Sequence, residues 1–405
     1  MSIQTSQDLI DEVIHRSISK IYPSETEFEK ALKSGKQLTF YVGIDPTADY
    51  VHLGHSTNYL ILERLHKMGH RIIVLVGDFT AMIGDPSDKT SMRVQLTKEE
   101  VEANLKTFKD QIGKILDFNT TENPIEFKYN SEWLSKLTFK DTVELSSNFT
   151  IQQMIERDAF KKRLNSKKPL FMHEFMYPLM QGYDSVAMNV DAEIGGTDQM
   201  FNMLAGRTLL KRYKDKEKFV ITTTLLEDPE TGEKLMSKSL GTGVGLNEDP
   251  KSMFIKIMQL PDSGIMQCFV DCTRLPLTDI GEIQKRLKGG ENPRDIKAEL
   301  ATEIVTMYHG KEAAEKAKIV WFSEVSNKQA PINIPDINFT KDDNLIDKLL
   351  ELKIVDSKSN ARRLIEEGAV KVNGSKVNLD NADEQLRDSS ILTIGKKHTY
   401  TIKRI

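Results

Sequence analysis

Two histidines three residues apart, in the segment His52-Leu53-Gly54-His55, could stabilise negative charge on a phosphate group. Side chains three apart at the start of a helix share one side, and the glycine between them lets a ligand approach the backbone closely. Imidazole N–H groups in that position can stabilise charge that develops on an α-phosphate during a displacement. Taken alone, the pair is just as typical of a helix cap.

A second loop, Met236-Ser237-Lys238-Ser239, carries a lysine between Gly232 and Gly241. A lysine on a flexible loop can clamp pyrophosphate as it leaves. Thr47 adds a hydroxyl donor close to the histidines. Either loop alone is typical of an ordinary surface turn or cap, but together they predict a site that uses ATP to activate a small carboxylic acid.

A strand, a helix and a second strand are predicted around the histidines. The apolar run 38–44 ends at Asp45-Pro46-Thr47 and predicts a buried strand, 54–68 has helical spacing with Gly69 as a cap, and 72–76 is a second apolar strand. This order predicts a right-handed βαβ unit in a parallel sheet. Ligands of such sheets bind at the carboxyl ends of strands, where helix N-termini offer N–H groups to phosphate.

The rest of the chain divides into predicted segments. The α/β catalytic domain spans 1–246, with a helical insertion at about 116–190 and a further strand at 219–226. A helical domain follows at 247–328, with helix starts at Asp249-Pro250 and Asn292-Pro293. Residues 329–342 lack a sustained period and predict a linker, and 343–405 predict a small α+β domain.

Composition restricts the partners and the compartment. With 405 residues and a net charge of −4, the chain has no overall attraction to nucleic acid, so RNA must bind to local basic patches. Cys268 and Cys272 have no nearby partners for a zinc site and are predicted to be free thiols. The N-terminus lacks a signal sequence and no apolar run approaches about 18 residues, which predicts a cytoplasmic protein that does not enter membranes.

Five motifs together carry a resemblance to a known family. They are Tyr41-Val42-Gly43-Ile44-Asp45-Pro46-Thr47, His52-Leu53-Gly54-His55, Gly84-Asp85-Pro86-Ser87, Gly195-Gly196-Thr197-Asp198-Gln199 and Met236-Ser237-Lys238-Ser239. Their order and spacing along most of the chain resemble those of the bacterial tyrosyl-tRNA synthetases, which are class I enzymes. The resemblance implies a Rossmann-like catalytic domain, an all-α domain and a C-terminal S4 RNA-binding domain.

The resemblance implies roles for individual residues. Tyr41 and Asp184 would hydrogen-bond the substrate phenol; Asp85, Tyr177 and Gln181 would hold its ammonium group, with Gln199 beside its carboxylate. Phosphate and transition-state contacts would come from Thr47, His52 and His55, and pyrophosphate contacts from Lys89, Arg93 and Lys238. The remaining ATP contacts would come from Gly43, Asp45, Gly54, Gly196, Asp198, Met236 and Ser237, among which Asp198 binds the ribose.

Four positions depart from the family pattern, among them Val42 and Asn58, where some relatives have side chains that touch the ribose. Leu235 stands where the family usually has a lysine, which leaves Lys234 as the nearest substitute. Asp88 places a negative charge beside the expected path of the triphosphate. In the tail, the resemblance implies RNA phosphate contacts by Arg362, Arg363 and Lys371.

The implied activity is conversion of L-tyrosine and ATP to tyrosyl-adenylate, followed by transfer of tyrosine to the 3′ end of tRNA(Tyr). Mg²⁺ would arrive with ATP, since no carboxylate cluster in the sequence resembles a dedicated metal site, and the helical insertion would form a homodimer. One alternative is a tryptophanyl-type synthetase or a small-molecule adenylyltransferase, against which Tyr41, Gln181, Asp184 and the RNA-binding tail argue. Another is a non-catalytic RNA-binding protein, against which His52, His55 and Lys238 argue.

Overall fold

The protein is described by a computed structural model at residues 2–86, 96–236, 243–326, 336–340, 343–352, 354–372, 375–378, 386, 390–395 and 398–404. Contacts divide the chain into two compact units, 1–315 and 316–405. The predicted boundary at residue 247 does not coincide with this division, because the helical segment that follows it belongs to the first unit up to residue 315.

A six-stranded sheet forms the centre of the first unit. Its strands are β1 (Ile18–Tyr22), β2 (Thr39–Ile44), β3 (Arg71–Val76), β4 (Glu126–Tyr129), β5 (Ala192–Gly196) and β6 (Phe219–Thr223). They lie in the order β1-β6-β5-β2-β3-β4, and all neighbours are parallel except β1 and β6. Because the chain continues from β2 to β3 on one side and returns to β5 on the other, the sheet has a topological switch point between β2 and β5, where ligands of such folds bind.

Helices surround this sheet and fill the rest of the unit. They are α1 (Gln7–Ile14), α2 (Glu25–Lys33), α3 (Leu53–Lys67), α4 (Thr80–Ile83), α5 (Lys98–Leu105), α6 (Phe108–Gly113), α7 (Ser131–Leu134), α8 (Phe139–Ser146), α9 (Ile151–Ile155), α10 (Asp158–Asn165), α11 (Met172–Met188), α12 (Met200–Lys214), α13 (Pro250–Met258), α14 (Ile265–Cys272), α15 (Leu277–Lys288), α16 (Pro293–His309) and α17 (Lys311–Val320), the last of which continues into the second unit. Asp249 and Asn292 cap α13 and α16 at the predicted helix starts; the Asp249 side chain accepts two backbone N–H groups and the Asn292 side chain accepts one. Cys268 and Cys272 on α14 are buried free thiols, also as predicted.

The predicted βαβ unit is confirmed by β2, α3 and β3. The two strands pair in parallel, with Tyr41 opposite Ile73, and five of the six residues of β3 are buried. Gly69 follows α3 with a φ of +95°, a conformation that glycine adopts without the steric cost of a side chain. This unit places the loop after β2 and the start of α3 at the switch point.

Three parts of the sheet depart from the sequence prediction. The predicted helical insertion at 116–190 is interrupted by β4, which adds a parallel strand beside β3, so the prediction is wrong at 126–129. Here the charged residues Glu126 and Lys128 occupy an edge strand, where one flank stays accessible to solvent. The predicted strand at 219–226 ends at Thr223, and β1 was not predicted.

The second unit contains a five-stranded sheet and two helices. Its elements are β7 (Asp336–Phe339), α18 (Leu345–Glu351), α19 (Lys358–Glu366), β8 (Val370–Val372), β9 (Ser375–Lys376), β10 (Ile391–Ile394) and β11 (His398–Arg404). The strand order is β7-β11-β10-β8-β9. The two predicted helices and the β8–β9 hairpin are confirmed, while its expected turn, Asn373-Gly374, lies outside the described residues.

The predicted linker at 329–342 is wrong at residues 336–339. These residues form β7, which pairs in parallel with β11 and buries Ile337 and Phe339 in the core of the second unit. An edge strand four residues long, with prolines just before it, gives a weak local signal, because its pairing partner lies some 60 residues further along the chain. Across the described ranges, no helix is both long and apolar enough to cross a membrane.

Candidate active site

The carboxyl ends of β2 and β5 open onto a cavity of about 730 Å³. Every residue predicted for the tyrosine and ATP sites that the structure describes lines this cavity: Tyr41, Gly43, Asp45, Thr47, His52, Gly54, His55, Asp85, Tyr177, Gln181, Asp184, Gly196, Asp198, Gln199 and Met236. The other predicted site residues of this unit, Lys89, Arg93, Ser237 and Lys238, lie outside the described residues. Residues from five separate segments of the sequence therefore meet at the switch point.

Tyr41 and Asp184 lie at the buried end of this cavity. The Tyr41 side chain on β2 is fully buried, and its hydroxyl lies 2.9 Å from Ser185 Oγ. Asp184 on α11 accepts hydrogen bonds from Trp133 Nε1 at 2.7 Å and Asn130 Nδ2 at 3.3 Å. Burial raises the pKa of both Tyr41 and Asp184 well above their ordinary values, although the two hydrogen-bond donors oppose the shift at Asp184. A polar ligand atom at this end would meet one hydroxyl and one carboxylate.

The three residues predicted to hold an ammonium group line the cavity and have hydrogen-bond partners within the protein. Asp85 accepts from Gln199 Nε2 at 2.7 Å and pairs with the buried Arg157 at 3.1 Å. The Tyr177 hydroxyl donates to Asp45 at 2.7 Å. Gln181 Nε2, one helical turn further along α11, donates to a Glu193 carboxylate oxygen at 3.0 Å. The site is therefore rich in carboxylate oxygens, which suits a cationic ligand group.

The two histidines form a stacked pair at the N-terminus of α3. Their ring centroids are 3.8 Å apart with an interplanar angle of 19°. His52 Nδ1 accepts from the Gly54 N–H at 3.1 Å, and His55 Nδ1 accepts from the His52 N–H at 3.4 Å. Since each neutral ring uses Nδ1 as an acceptor, its proton is on Nε2, and both rings can donate an N–H. The helix N-terminus adds a partial positive charge at the same place.

Two glycines leave room for polar side chains in the wall of the cavity. A Cβ atom at Gly54 would lie 3.0 Å from the His52 ring, and one at Gly196 would lie 2.4 Å from Asp198 Oδ1. Side chains at these positions would push His52 or Asp198 out of place. Because these two motif positions are glycines, His52 and Asp198 can keep their places in the cavity wall.

Lys234 and Leu235, just before the second loop, show which side chain can replace the lysine that the family usually has at position 235. Leu235 is buried, whereas Lys234 is exposed and lines the cavity. A Cβ atom at Gly264 would lie 2.8 Å from Leu235 Cδ1, so Leu235 packs closely against that glycine. Lys234, and not position 235, therefore presents an ammonium group to the cavity.

Two buried charged residues of the site were not predicted. Glu193 on β5 lines the cavity and forms an ion pair with Lys218, and the side chains are 2% and 0% exposed. Glu193 stands within an otherwise apolar strand, and a carboxylate there requires a buried partner. That requirement was a usable signal, but no sequence rule identifies the partner as the lysine immediately before β6. Over the described part of the chain, no group of three or more His, Cys, Asp or Glu side chains is placed to hold a metal ion.

The fold and this cavity define a class I aminoacyl-tRNA synthetase. The family model for class I tRNA synthetases of the tryptophan and tyrosine type matches residues 33–325, which is more than half of the chain. The model for the C-terminal domain of tyrosine–tRNA ligases matches residues 327–402.

Individual relatives specify the family further. The chain is 43% identical to tyrosine–tRNA ligase 2 of Clostridium acetobutylicum over 95% of this chain and 96% of that protein. It is also 43% identical to the tyrosine–tRNA ligase of Carboxydothermus hydrogenoformans, over 97% and 94% of the two chains. The structure of a C-terminally truncated mitochondrial tyrosyl-tRNA synthetase of Aspergillus nidulans matches with a TM-score of 0.67 at 22% identity, covering 78% of this chain and 93% of that one. The chain belongs to the tyrosyl-tRNA synthetase family, whose members are ATP-dependent ligases.

Proposed function

We propose that this chain activates L-tyrosine with ATP and transfers it from the adenylate to the 3′ end of tRNA(Tyr), releasing AMP and diphosphate. The observation that carries this proposal is the cavity at the switch point, which combines a buried hydroxyl and carboxylate with a histidine pair at a helix N-terminus. A phenol is both a donor and an acceptor, and Tyr41 and Asp184 offer one partner for each role. A phenylalanine side chain would give neither Tyr41 nor Asp184 a hydrogen bond from the ligand while displacing water from both, which is costly.

The reaction needs positioning and charge stabilisation and no side-chain nucleophile. The substrate carboxylate attacks the α-phosphate in line with the departing diphosphate, and the Nε2–H groups of His52 and His55 meet the charge on the phosphate oxygens. Asp198 holds the ribose, while Gly43 and Asp45 line the adenylate. Lys234 and Lys238, with Lys89 and Arg93, neutralise the leaving diphosphate. Mg²⁺ enters as part of the ATP substrate.

Amino-acid-dependent exchange of radiolabelled pyrophosphate into ATP tests this proposal directly. We expect exchange with tyrosine and none above background with tryptophan or phenylalanine, because only tyrosine pairs with both Tyr41 and Asp184. Robust exchange with tryptophan and none with tyrosine would favour the tryptophanyl alternative. Absence of exchange with all amino acids would favour a non-catalytic RNA-binding protein.

The exposed basic residues of the second unit support the proposed RNA contacts. Arg362 and Arg363 lie on α19 and Lys371 on β8, and all three are exposed. Lys358, at the start of α19, and Lys376 on β9 are also exposed, so five positive charges belong to this small unit's surface. Guanidinium and ammonium groups contact RNA phosphates without reading sequence. We expect them to bind the tRNA backbone outside the acceptor end.

Removal of residues 327–405, which include the sheet and the two short helices of the second unit, should separate activation from charging. A cut at residue 344 would leave β7 on the truncated chain without its partner β11, because β7 belongs to the sheet of the second unit. The better cut therefore follows Ser326. We expect the 1–326 chain to retain pyrophosphate exchange within about threefold and to lose at least about tenfold in tRNA charging, as several phosphate contacts are removed. Arg362→Ala/Arg363→Ala in the full chain is the matched variant. It should also charge tRNA less well than the wild type. Because it makes fewer phosphate contacts, its charging should fall less steeply as the salt concentration rises. Normal charging by the truncated chain would contradict the RNA-binding role.

A cluster along the sequence, at residues 129–172, of exposed apolar side chains supports a homodimer. Seven of the ten exposed large hydrophobic side chains in the described residues lie between positions 129 and 172, including Phe139 at 84%, Ile151 at 71% and Met172 at 75%. Exposed apolar surface of this kind is typical of an interface. Since both tRNA and ATP are cytoplasmic, we also propose a cytoplasmic location.

Light scattering tests the dimer. We expect a mass of about 92 kDa, twice the 46.0 kDa of one chain. Phe139→Asp should shift the mass toward the monomer, because it places a charge in an apolar interface. Ile319→Asp, at another exposed apolar position outside the cluster, should not shift it. A monomeric wild type at micromolar concentration would contradict the proposal.

A further inference from the structure

Behind the Tyr41 hydroxyl lies a buried chain of polar groups. Lys218 Nζ donates to Ser185 Oγ at 2.8 Å and forms an ion pair with Glu193. Ser185 Oγ in turn lies 2.9 Å from the Tyr41 hydroxyl and 3.5 Å from Glu193 Oε2. All four side chains are at most 2% exposed, and Lys218 Nζ also lies 5.9 Å from the centre of the Tyr41 ring.

The polar hydrogens available on Lys218 and Ser185 determine which group donates in each of these hydrogen bonds. The Lys218 amine carries N–H groups whether it is an ammonium or has passed a proton to Glu193, so it donates to Ser185 Oγ in either form. Ser185 has one proton of its own and two possible acceptors. Glu193 Oε2 is at the 3.5 Å limit and already receives Lys218, whereas the Tyr41 oxygen is at 2.9 Å. The Ser185 proton therefore belongs to the bond with Tyr41.

A Tyr41 oxygen that accepts from Ser185 keeps its own proton, which it can donate to Glu193, with which it also hydrogen-bonds, or to a ligand in the cavity. The two Glu193 oxygens already accept from Gln181 and Lys218, which favours the ligand as the acceptor. Burial and the neighbouring carboxylates raise the pKa of Tyr41 well above its ordinary value, so this proton is present throughout the working pH range. Burial raises the pKa of Asp184, but the N–H groups of Trp133 and Asn130 stabilise its ionised form, and that carboxylate is the acceptor of the pair at this end of the cavity. One donor and one acceptor thus face a ligand.

We propose that Lys218 and Glu193, acting through Ser185, are positioning residues that fix Tyr41 as the donor toward the substrate phenol, and so require a para substituent that accepts from Tyr41 and donates to Asp184. This inference rests on the proposed roles of Tyr41 and Asp184. The full sequence of hydrogen bonds runs from Lys218 to Ser185, from Ser185 to Tyr41, from Tyr41 to the substrate oxygen, and from the substrate proton to Asp184.

The backbone around Lys218 is shaped for this contact. Gly206 on α12 has no side chain, and a Cβ atom there would lie 2.5 Å from Lys218 Nζ and 2.9 Å from Ser185 Oγ. The same ion pair anchors Gln181, whose amide donates to the other Glu193 oxygen at 3.0 Å. A buried ion pair adds little stability in itself, since desolvation of the two charges offsets their attraction. A role in directing Tyr41 gives the pair a function that packing does not supply.

The test compares tyrosine with 4-aminophenylalanine, whose amino group donates well but is a poor acceptor. Wild-type protein should prefer tyrosine by kcat/KM in pyrophosphate exchange. In Ser185→Ala, which leaves both charges in place, and in Lys218→Met/Glu193→Gln, which removes them together, the tyrosine to 4-aminophenylalanine ratio should fall about tenfold with the KM for ATP unchanged. Thr273→Val, which deletes a buried hydroxyl remote from the cavity, should keep the wild-type ratio.

Tyr41→Phe, measured in parallel, separates failure of this inference from failure of the proposed site. If Tyr41→Phe lowers the ratio while Ser185→Ala stays within twofold of wild type, the relay is overturned and the Tyr41 contact stands. If Tyr41→Phe leaves the ratio unchanged, the proposed phenol contact itself fails. Circular dichroism checks folding of each variant; should the double variant fail to fold, Ser185→Ala decides the outcome alone.

Discussion

Asp184→Ala should lower kcat/KM for tyrosine in pyrophosphate exchange by about 100-fold or more, while the KM for ATP stays within about threefold. The substitution removes the acceptor for the substrate phenol at the buried end of the cavity. A hydrogen bond to a charged group contributes about 1.5–3 kcal/mol, and a phenolic proton left unpaired in a buried site adds its desolvation cost. Together these correspond to about two or more factors of ten. Steady-state exchange with each substrate varied in turn measures both constants.

Asp198→Ala is the matched control for this result. It removes a carboxylate from the same cavity, but at the end proposed for the ribose, so it should raise the KM for ATP and leave the KM for tyrosine near the wild-type value. Asp184→Ala also leaves Trp133 Nε1 and Asn130 without their acceptor, so thermal unfolding must show that the variant is folded at the assay temperature. An unchanged dependence on tyrosine in a folded Asp184→Ala protein would refute the phenol assignment.

Part of the fold follows from local patterns. The segment β2–α3–β3 was predictable because its strands are continuous apolar runs, its helix has a clear period, and Gly69 and the loop after Ile44 end each element. The same features placed the two histidines at a helix N-terminus. The residues of the cavity were predictable because five short motifs keep a characteristic order, although only the resemblance connects Asp184 and Tyr177 on α11 with Tyr41 on β2.

Other parts depend on contacts that are distant in sequence. β4 and β7 are four-residue edge strands with mixed polarity, and each forms because a neighbouring strand offers unpaired backbone groups. In the sequence, Lys218 is typical of an exposed charged residue at the end of a loop. Only the structure shows that its side chain is buried in an ion pair with Glu193. The hydrogen bonds between Tyr177 and Asp45 and between Gln199 and Asp85 likewise join residues over 100 positions apart. No local pattern encodes such pairs.

The nucleotide end of the cavity shows how one substitution can be accommodated. Where the family usually has lysine, this chain has Leu235, which packs against Gly264 in the interior. A lysine at that place would be expensive to bury without a partner. Lys234 lines the cavity beside it, so the loop retains a cation next to the proposed diphosphate path. We infer that the positive charge has moved by one residue.

His55→Ala should lower the single-turnover rate of tyrosyl-adenylate formation by about 100-fold, with the KM values for tyrosine and ATP within about threefold. With Nδ1 accepting from the His52 backbone, His55 presents Nε2–H to the cavity, and loss of one preorganised donor to a developing charge costs about 100- to 1,000-fold in kcat. His55→Asn keeps an N–H donor and should recover part of the rate. His66→Ala removes a histidine from the far end of the same helix, outside the cavity, and should retain the wild-type rate. A wild-type rate for His55→Ala, or a loss confined to the KM for ATP, would show that the histidine serves only as a helix cap or a ground-state contact.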